Sequence, residues 1–294
     1  MELADEGRGI PAIVIGGKVD GPAVYIQATS HSREWISTST AMALVVELLE
    51  TQDPELRRLV EELRFFIVPV MNPDGYAFTF SPDPAGRMWR KTRSPNAGSE
   101  CIGTDLNRNY DDHWSGVDLP GGAQNCASTD PCSNSYQGAE VWSELESDAV
   151  RSFLAGEVRR ENELLGGLDL HSFGQMFNRP YGWLDPAIET PPNDAATTAC
   201  GEAMVEAMAA ATGVEYVSQY GFDLYRTCGT GMAYLYNVTY PLGTAYTVEL
   251  RDRGEFGFLL PPEEIRPSAE EMIAATKVYA AHVLQVARAG KALD

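Results

Sequence analysis

The chain of 294 residues carries 22 lysines and arginines against 42 aspartates and glutamates, which gives a formal net charge of −20. Hydrophobic residues make up 44% of the chain and charged residues 22%, a balance typical of a folded protein rather than a disordered one. The acidic excess argues against nucleic acid or an anionic membrane surface as the main partner, because both are bound through clustered lysines and arginines.

The sequence also bears on membranes and on cysteine chemistry. No stretch approaches the roughly 18 consecutive apolar residues of a membrane span, so we expect no membrane partner. The first residues lack the basic and apolar regions of a signal peptide. The five cysteines show no C-x-x-C spacing, which argues against a thiolate zinc site, and their spacing alone does not determine how they pair.

Short β-branched runs alternate with longer helical patterns along the chain. The runs that predict strands are Ala12–Ile15, Ala23–Gln27, Phe65–Val70, Leu168–Leu170 and Ala245–Leu250. The patterns that predict helices are Ser37–Leu49, Val141–Arg159, Asp194–Ala211 and Pro262–Arg288. This alternation predicts an α/β sheet covered by helices on both faces.

No repeat or linker divides the sequence, so residues 1–294 are predicted to form a single domain. Between Gly86 and Gln137 the periodicity gives way to a long stretch rich in Gly, Asn, Asp, Ser, Pro and Cys. A loop of this length in a compact domain is usually functional or disordered. The cysteines and aromatic residues within it favour an ordered loop.

Four histidines limit the search for nitrogen ligands of a metal. His31 follows a predicted strand, with Glu34 three residues later, and His171 ends another predicted strand. Open α/β sheets bind ligands at the carboxyl ends of their strands, and two histidines with a glutamate form the open ligand set of catalytic zinc. Taken alone, a histidine and a glutamate at the spacing of His31 and Glu34 are more often a surface pair than a metal pair, and it is His171 at the same sheet edge that favours the metal. His113 is better explained as a loop residue and His282 as a helix residue.

A hydrolytic zinc site also needs a base that is not a ligand, and Glu249 is the candidate. It ends the β-prone run Ala245–Val248, where a carboxylate is costly unless it faces a polar cavity. The alternative is an ion pair between Glu249 and Arg251 at the edge of the sheet. The residue types alone leave both interpretations open.

At this point six motifs, in order along nearly the whole chain, resemble those of the zinc metallocarboxypeptidases of the carboxypeptidase A type. They are His31-Ser32-Arg33-Glu34-Trp35, Asn72-Pro73-Asp74-Gly75, Arg87-Met88-Trp89-Arg90-Lys91-Thr92-Arg93, Asp105-Leu106-Asn107-Arg108-Asn109, His171-Ser172-Phe173 and Glu249-Leu250-Arg251-Asp252. H-x-x-E alone is weak evidence, but six motifs in the family's order are specific. The resemblance implies an α/β fold with a mixed, mostly parallel, twisted sheet and helices on both faces.

The resemblance also implies zinc-dependent hydrolysis of the C-terminal peptide bond, with one Zn²⁺ per chain. His31, Glu34 and His171 match the family's zinc ligands. Asp105 matches the carboxylate that orients the first histidine and sets its tautomer. Zinc polarises the scissile carbonyl and lowers the pKa of its bound water towards roughly 7.

Four polar residues match further parts of that mechanism. Glu249 matches the general base that takes the proton of the water, and Arg90 matches the cation that stabilises the oxyanion. Asn107 and Arg108 match the clamp on the terminal carboxylate, where a guanidinium fork binds both oxygens. Without the resemblance, the segment around Asn107 and Arg108 is explained as a polar turn.

The side-chain pocket is assigned by aligning the segment from position 225 to position 237. Tyr225 matches the family's mobile tyrosine, with Tyr220 and Tyr236 as alternatives if the alignment shifts. Met232 falls at the position of the main specificity residue, where an uncharged thioether favours neutral, apolar or aromatic C-terminal residues over Lys or Arg. Ordinary core packing is the alternative for Met232, and Asp223 is close enough in sequence to modify the preference.

The remaining matches concern the entrance of the cleft and the cysteines. The residues implied to line the non-primed side are Arg33, Arg87, Ser172, Phe173 and Phe258. Cys101 and Cys132 match the family's disulfide, and Cys200 with Cys228 is a second candidate pair that leaves Cys126 unpaired. Disulfides need an oxidising compartment, so we expect the parent protein to be secreted.

The segment Glu6–Pro11 resembles a stretch that follows a first helix and strand in typical members, so the fold is expected to be shortened at its front. The expected substrates are peptide or protein C-termini, and the expected state is a monomer. One alternative is a related zinc amidohydrolase acting on cell-wall or γ-linked peptides, which is less apt to combine Asn107, Arg108 and Arg90. The other is a non-catalytic peptide-binding homologue, a class that typically loses a ligand or the base.

Overall fold

In the computed structural model, which describes residues 4–116, 118–119, 126–224, 226–239 and 243–290, seven strands form one sheet. The strands are β1 (Ile13–Ile15), β2 (Pro22–Ala28), β3 (Arg64–Val68), β4 (Glu163–Ser172), β5 (Met176–Arg179), β6 (Val217–Tyr220) and β7 (Thr244–Leu250). Their order across the sheet is β1-β3-β2-β4-β7-β5-β6.

Most of the strand pairs are parallel. β2 pairs in parallel with β3 and β4, β4 with β7, and β5 with β6, whereas β1 with β3 and β5 with β7 are antiparallel. The expectation of a mixed, mostly parallel sheet is therefore confirmed. The sequence analysis missed β5 and β6, because four residues are too few to show a strand period.

Helices cover the sheet and connect its strands. They are α1 (Trp35–Glu50), α2 (Pro54–Glu62), α3 (Pro73–Phe78), α4 (Leu145–Phe153), α5 (Arg159–Glu161), α6 (Asp194–Thr212), α7 (Gly221–Leu224), α8 (Gly231–Thr239) and α9 (Ile265–Gly290). A π-helical turn, Leu154–Val158, joins α4 to α5. Among the described residues, no helix combines the length and the apolar character needed to cross a membrane.

Four of these helices, α2, α3, α7 and α8, were not predicted, and one prediction needs correction. The helix predicted over Val141–Arg159 begins only at Leu145, because Trp142 has a φ of 60° that a helix does not accept. The start of α2 follows from local chemistry: Asp53 accepts hydrogen bonds from two backbone N–H groups of the first turn, and Pro54 stands at its first position.

Two hydrophobic cores lie on opposite faces of the sheet, because side chains alternate along each strand. In β2, Val24 and Ile26 belong to the core formed with α1, α6 and α9, whereas Ala23 and Tyr25 belong to the core formed with α4 and α8. Gln27 lies on the same face of β2 as Ala23 and Tyr25. Polar side chains on this second face are therefore placed together on the side of the sheet where α8 packs.

Candidate active site

Two neighbouring parallel strands bring together the histidines and the glutamate that the sequence singled out. β2 leads to His31 and to Glu34, which directly precedes α1, and the adjacent β4 carries His171 near its carboxyl end. His31 Nδ1 lies 2.8 Å from Glu34 Oε1 and 3.0 Å from His171 Nδ1. One ligand atom from each of the three residues lies within 4.8 Å of the other two. The three side chains can thus reach a single ion.

The donor set fits zinc. The three side chains are buried, at 3% exposure or less, so their lone pairs point at one another rather than at water. Two imidazole nitrogens and one carboxylate are the ligand set of catalytic zinc sites, which keep a further position open. The other histidines lie elsewhere: His113 Nδ1 is 3.0 Å from Asp118, and His282 lies in α9.

Asp105 contacts His31 at the ring nitrogen that faces away from Glu34. Its Oδ1 lies 2.9 Å from His31 Nε2, and its Oδ2 accepts a hydrogen bond of 2.8 Å from Arg90 Nη2. Burial would raise the pKa of Asp105, but the charges of Arg90 and His31 hold this pKa well below its usual value. The ionised carboxylate can accept a hydrogen bond from the Nε2–H group of His31, a tautomer that leaves the Nδ1 lone pair facing Glu34.

The second histidine has a carboxylate neighbour that the sequence analysis missed. Asp169 Oδ2 lies 3.1 Å from His171 Nε2, and Gln27 donates a hydrogen bond of 2.9 Å to Asp169 Oδ1. Burial would lower the pKa of His171, yet Asp169 and Glu34 raise this pKa well above its usual value. The available signal was the spacing, since residues two apart in a strand point to the same face.

β7 places Glu249 beside this group, directly opposite His171 in the pairing of β4 with β7. Burial is the main cause that raises the pKa of Glu249 to about 8, and the charge of Glu34 adds to the rise while that of His171 opposes it. Arg251 instead contacts two carboxylates of the C-terminal region, Glu264 and Glu271. The alternative of an ion pair between Glu249 and Arg251 is therefore wrong.

A narrow cleft is lined by Glu249 together with Asn107 and Arg108. These two residues lie in a single 3₁₀ turn that Asp105 caps by accepting a hydrogen bond from the Asn107 N–H. Both are nearly buried, and Asn107 Oδ1 accepts a hydrogen bond of 2.8 Å from the Gly231 N–H. The rest of the cleft is lined chiefly by Asn178, Leu224, Thr227, Thr230, Met232 and Thr247.

The residues assigned to the side-chain pocket are partly accounted for. Met232 is 2% exposed and lines the cleft, while Tyr225 lies outside the described residues. The hydroxyl groups of the two alternatives, Tyr220 and Tyr236, both donate hydrogen bonds to residues at the start of α6. Asp223 is exposed to solvent in α7.

Asn178 is a further lining residue that the sequence analysis missed. It lies in β5 opposite Thr247 of β7, which shares a face of its strand with Glu249. The Asn178 side chain is buried, and its Oδ1 has no hydrogen-bond partner among the described residues. No motif marked it, because its place in the cleft depends on the pairing of an unpredicted strand.

The residues matched to the non-primed side also meet in space. The Arg33 guanidinium lies 4.1 Å from the centre of the Phe258 ring, and the Phe173 ring packs edge-on against Phe258 at 4.9 Å. Arg87 donates a hydrogen bond of 2.9 Å to the backbone carbonyl of Arg33. The Ser172 N–H donates to Glu34 Oε2 at 3.2 Å, which joins this group to the histidines.

The cysteines pair differently from the sequence interpretation in one respect. A disulfide joins Cys101 to Cys132. The second joins Cys126 to Cys228, and Cys200 is a buried free thiol. The candidate pair Cys200–Cys228 is therefore wrong, because Cys200 lies on α6 in the core that faces away from α8.

Sequence comparisons agree with this geometry. The model of the zinc carboxypeptidase family matches residues 5–275. The chain is 35% identical to carboxypeptidase B of Bos taurus over an alignment of 269 residues. The alignment covers 90% of this chain and 60% of that protein. A zinc carboxypeptidase of Simulium vittatum is also 35% identical, covering 91% of this chain and 83% of that protein. The chain spans about three fifths of the length of the bovine relative.

Solved structures show the same fold. Bovine thrombin-activatable fibrinolysis inhibitor, in complex with tick carboxypeptidase inhibitor, superposes with a TM-score of 0.84 at 30% identity over 97% of this chain and 88% of that chain. Carboxypeptidase A from Helicoverpa armigera gives a TM-score of 0.82 at 29% identity over 99% of this chain and 68% of that chain. Together with the family match over most of its length, these similarities show that the chain belongs to the zinc carboxypeptidase family.

Proposed function

We propose that this protein is a zinc-dependent carboxypeptidase that hydrolyses the C-terminal peptide bond of peptides and proteins, with a preference for neutral, apolar or aromatic C-terminal residues. The observation that carries the proposal is that the three possible zinc ligands and the polar residues of the cleft lie next to each other. The His31–Glu34–His171 group lies beside a cleft that Glu249 lines together with Asn107 and Arg108. A metal site, a base and an anion-binding pair are the parts that an exopeptidase of this kind requires.

His31, Glu34 and His171 would hold one Zn²⁺ per chain. A zinc ion bound there would polarise the scissile carbonyl and make a water molecule acidic near neutral pH. Glu249 takes the proton of the attacking water and delivers it to the leaving nitrogen, a role for which a pKa near neutrality is favourable. Arg90, which lies 3.9 Å from Glu34, supplies positive charge to the developing oxyanion.

Arg108 and Asn107 would bind the free carboxylate at the end of the substrate. Both line the cleft and both are nearly buried, so a carboxylate held there exchanges few contacts with water. Charge-assisted hydrogen bonds from a guanidinium are stronger than those between neutral groups, which gives the site its selectivity for a chain end. The carboxylate is thereby positioned one residue away from the bond that is cut.

The cleft wall supports a preference for uncharged side chains. Met232 contributes a polarizable thioether to the wall. The charged residues among those that line the cleft are Arg108 and Glu249, and both already have the roles just described. A lysine or arginine side chain would be buried there without a dedicated carboxylate, which is costly. We further propose that the parent protein is secreted, because its two disulfides suit an oxidising compartment.

The test is the release of the last residue from N-blocked dipeptides ending in Phe, Leu, Lys or Glu, with and without a zinc chelator. We expect release of Phe and Leu that the chelator abolishes and zinc restores. Dipeptides with an amidated C-terminus are the matched control and should react poorly, because they lack the carboxylate for Arg108. Release that survives the chelator would contradict the zinc mechanism, and faster release of Lys would contradict the proposed preference.

A further inference from the structure

The two histidines of the metal site face the same requirement. The Nδ1 atoms of His31 and His171 lie close to each other and to Glu34. To bind an ion held between them, each ring has to offer the lone pair of Nδ1 and carry its proton on Nε2. In His31 this tautomer follows from Asp105, which faces Nε2. An equivalent acceptor is needed at Nε2 of His171.

Two side chains face His171 Nε2, and only one of them can accept a proton. The amide nitrogen of Asn107 lies 3.4 Å away, but the amide oxygen of Asn107 is held by the Gly231 N–H, so the group facing the ring is a donor. Asp169 Oδ2 lies 3.1 Å away and is an acceptor. Oδ2 is buried and accepts no hydrogen bond from any described residue, so its lone pairs are available to a proton on the neighbouring Nε2.

Asp169 is itself fixed from the opposite side. Its Oδ1 accepts a hydrogen bond from Gln27, its direct neighbour in the pairing of β2 with β4. The Gln27 amide is in turn held by the hydroxyl of Tyr25, at 3.3 Å. A Cβ added at Gly231 would lie 2.5 Å from Asp169 Oδ2, so the glycine leaves the space that the carboxylate occupies. Each of these groups is fully buried or nearly so.

We propose that Asp169 is a positioning residue of the zinc site, which fixes the tautomer and the ring orientation of His171 as Asp105 does for His31. This inference rests on the proposed function, since it concerns the same metal. It assigns one buried carboxylate to each histidine, held by Arg90 in one case and by Gln27 in the other. Groups that orient a metal-binding histidine typically change metal affinity by about 10–100-fold when they are replaced.

The experiment measures the zinc dissociation constant of the metal-free chain by competition with a chromophoric chelator at one fixed pH. We expect Asp169→Ala to raise this constant by about 10–100-fold and Asp169→Asn, which keeps an acceptor oxygen, to raise it less. Asp105→Asn is the positive control. Asp112→Asn is the matched negative control, because Asp112 is also buried but contacts Asn237, away from the histidines.

Thermal unfolding of the metal-free variants separates positioning from a structural role, since a purely structural carboxylate would lower the melting temperature and leave the zinc affinity unchanged. If the Asp169 variants do not fold, Gln27→Met decides, because it removes the donor at Oδ1 and should weaken zinc binding severalfold. Zinc affinities equal to that of the wild type in the folded variants would overturn the inference and leave the proposed function intact. A wild-type chain that binds no zinc would contradict both.

Discussion

Among the described residues, two groups of side chains place three possible metal ligands within reach of one ion, and the two groups differ in their hydrogen-bond and charge partners. The first is His31, Glu34 and His171. The second, which we call the acidic cluster, consists of the exposed Asp5 near the N-terminus and of the buried Glu144 and Glu146 at the start of α4. In the first group the imidazoles hold the pKa of Glu34 below its usual value, although burial would raise it. In the acidic cluster burial raises the pKa of Glu146 to about 8.

The comparison shows that hydrogen-bond donors and cations around a buried carboxylate, rather than the number of carboxylates, decide whether the group is ionised or protonated. The carboxylate of Glu144 accepts hydrogen bonds from hydroxyl groups of Thr92, Ser94 and Ser143. Neither oxygen of Glu146 reaches a hydrogen-bond partner on another described residue. A carboxyl group without donors or cations is most stable with its proton. We therefore expect Glu146 to keep its proton at neutral pH, whereas the histidine group is suited to zinc.

The largest effect is expected at the metal site, where Glu249→Gln separates metal binding from chemistry. Because Glu249 is proposed as the base and not as a ligand, hydrolysis should fall by about 10²–10⁴-fold while the zinc dissociation constant stays within about twofold. Steady-state rates and chelator competition measure the two quantities. Glu202→Gln on the exposed side of α6 is the matched control. An active Glu249→Gln variant would mean that another group is the base.

The next effect tests the acidic cluster through pH. Below about pH 4.5 Glu146 is protonated in both the folded and the unfolded chain, so it contributes no pH dependence. As the pH rises towards 8, the unfolded chain loses this proton while the folded chain keeps it, and stability is lost. Glu146→Gln has no such loss, so the free energy of unfolding should shift in favour of the variant by about 2–4 kcal/mol between pH 4.5 and pH 8.

Urea unfolding at the two pH values measures this shift, with Glu202→Gln as the control that should follow the wild type. An unchanged difference between Glu146→Gln and the wild type at both pH values would show that Glu146 is ionised in the folded protein. The acidic cluster would then need a cation, and the contrast with the histidine group would fail.

Metal removal gives a smaller effect that compares both groups at once. A ligand present at 100 times its dissociation constant stabilises the folded state by about 2.7 kcal/mol, so a chelator should lower the stability of the zinc-loaded chain by about that amount. Glu146→Gln should lose the same amount, because the acidic cluster is not the metal site. A loss that disappears in Glu146→Gln would assign the metal to the acidic cluster.

The smallest effect concerns the cleft beside the metal site. An apolar substrate side chain leaves Asn178 Oδ1 buried without a partner, at a cost of about 1 kcal/mol or more. Asn178→Leu should therefore raise kcat/KM for substrates ending in Leu or Phe by about fivefold. Asn162→Leu is the matched control, since Asn162 Oδ1 also has no hydrogen-bond partner among the described residues but Asn162 lies just before β4, outside the residues that line the cleft. A lower kcat/KM for Asn178→Leu would indicate that the amide contacts the substrate.

Most of the longer elements and the metal group could be predicted because their signals are local. The strands before His31 and His171 are β-prone runs, and the carboxyl ends of parallel strands meet at one edge of a sheet. Asp169 could not be assigned in this way. Its role depends on a hydrogen bond from Gln27, 142 residues earlier in the chain. It also depends on the orientation of the Asn107 side-chain amide, which presents its nitrogen rather than its oxygen to His171. Such contacts are set by tertiary packing and leave no periodic pattern.

The cleft was harder to predict for the same reason. Asn178 lies in β5, a strand too short to show a period, and enters the cleft only through its pairing with β7. The second disulfide was missed because spacing leaves the pairing of five cysteines open, and the choice depends on which face of α6 carries Cys200. The roles of motif residues can be predicted from the local sequence, whereas the residues that line the cleft are identified only once the fold is known.

The position of Cys200 has a consequence for the oxidised protein. Thiol–disulfide exchange begins with attack by a thiolate, and burial raises the pKa of the Cys200 thiol to about 12. The other four cysteines are joined in the two disulfides, so the native chain contains no accessible thiolate. Scrambling of the cross-link that ends at Cys228, beside the segment that begins α8, therefore requires an external thiol or prior unfolding of α6.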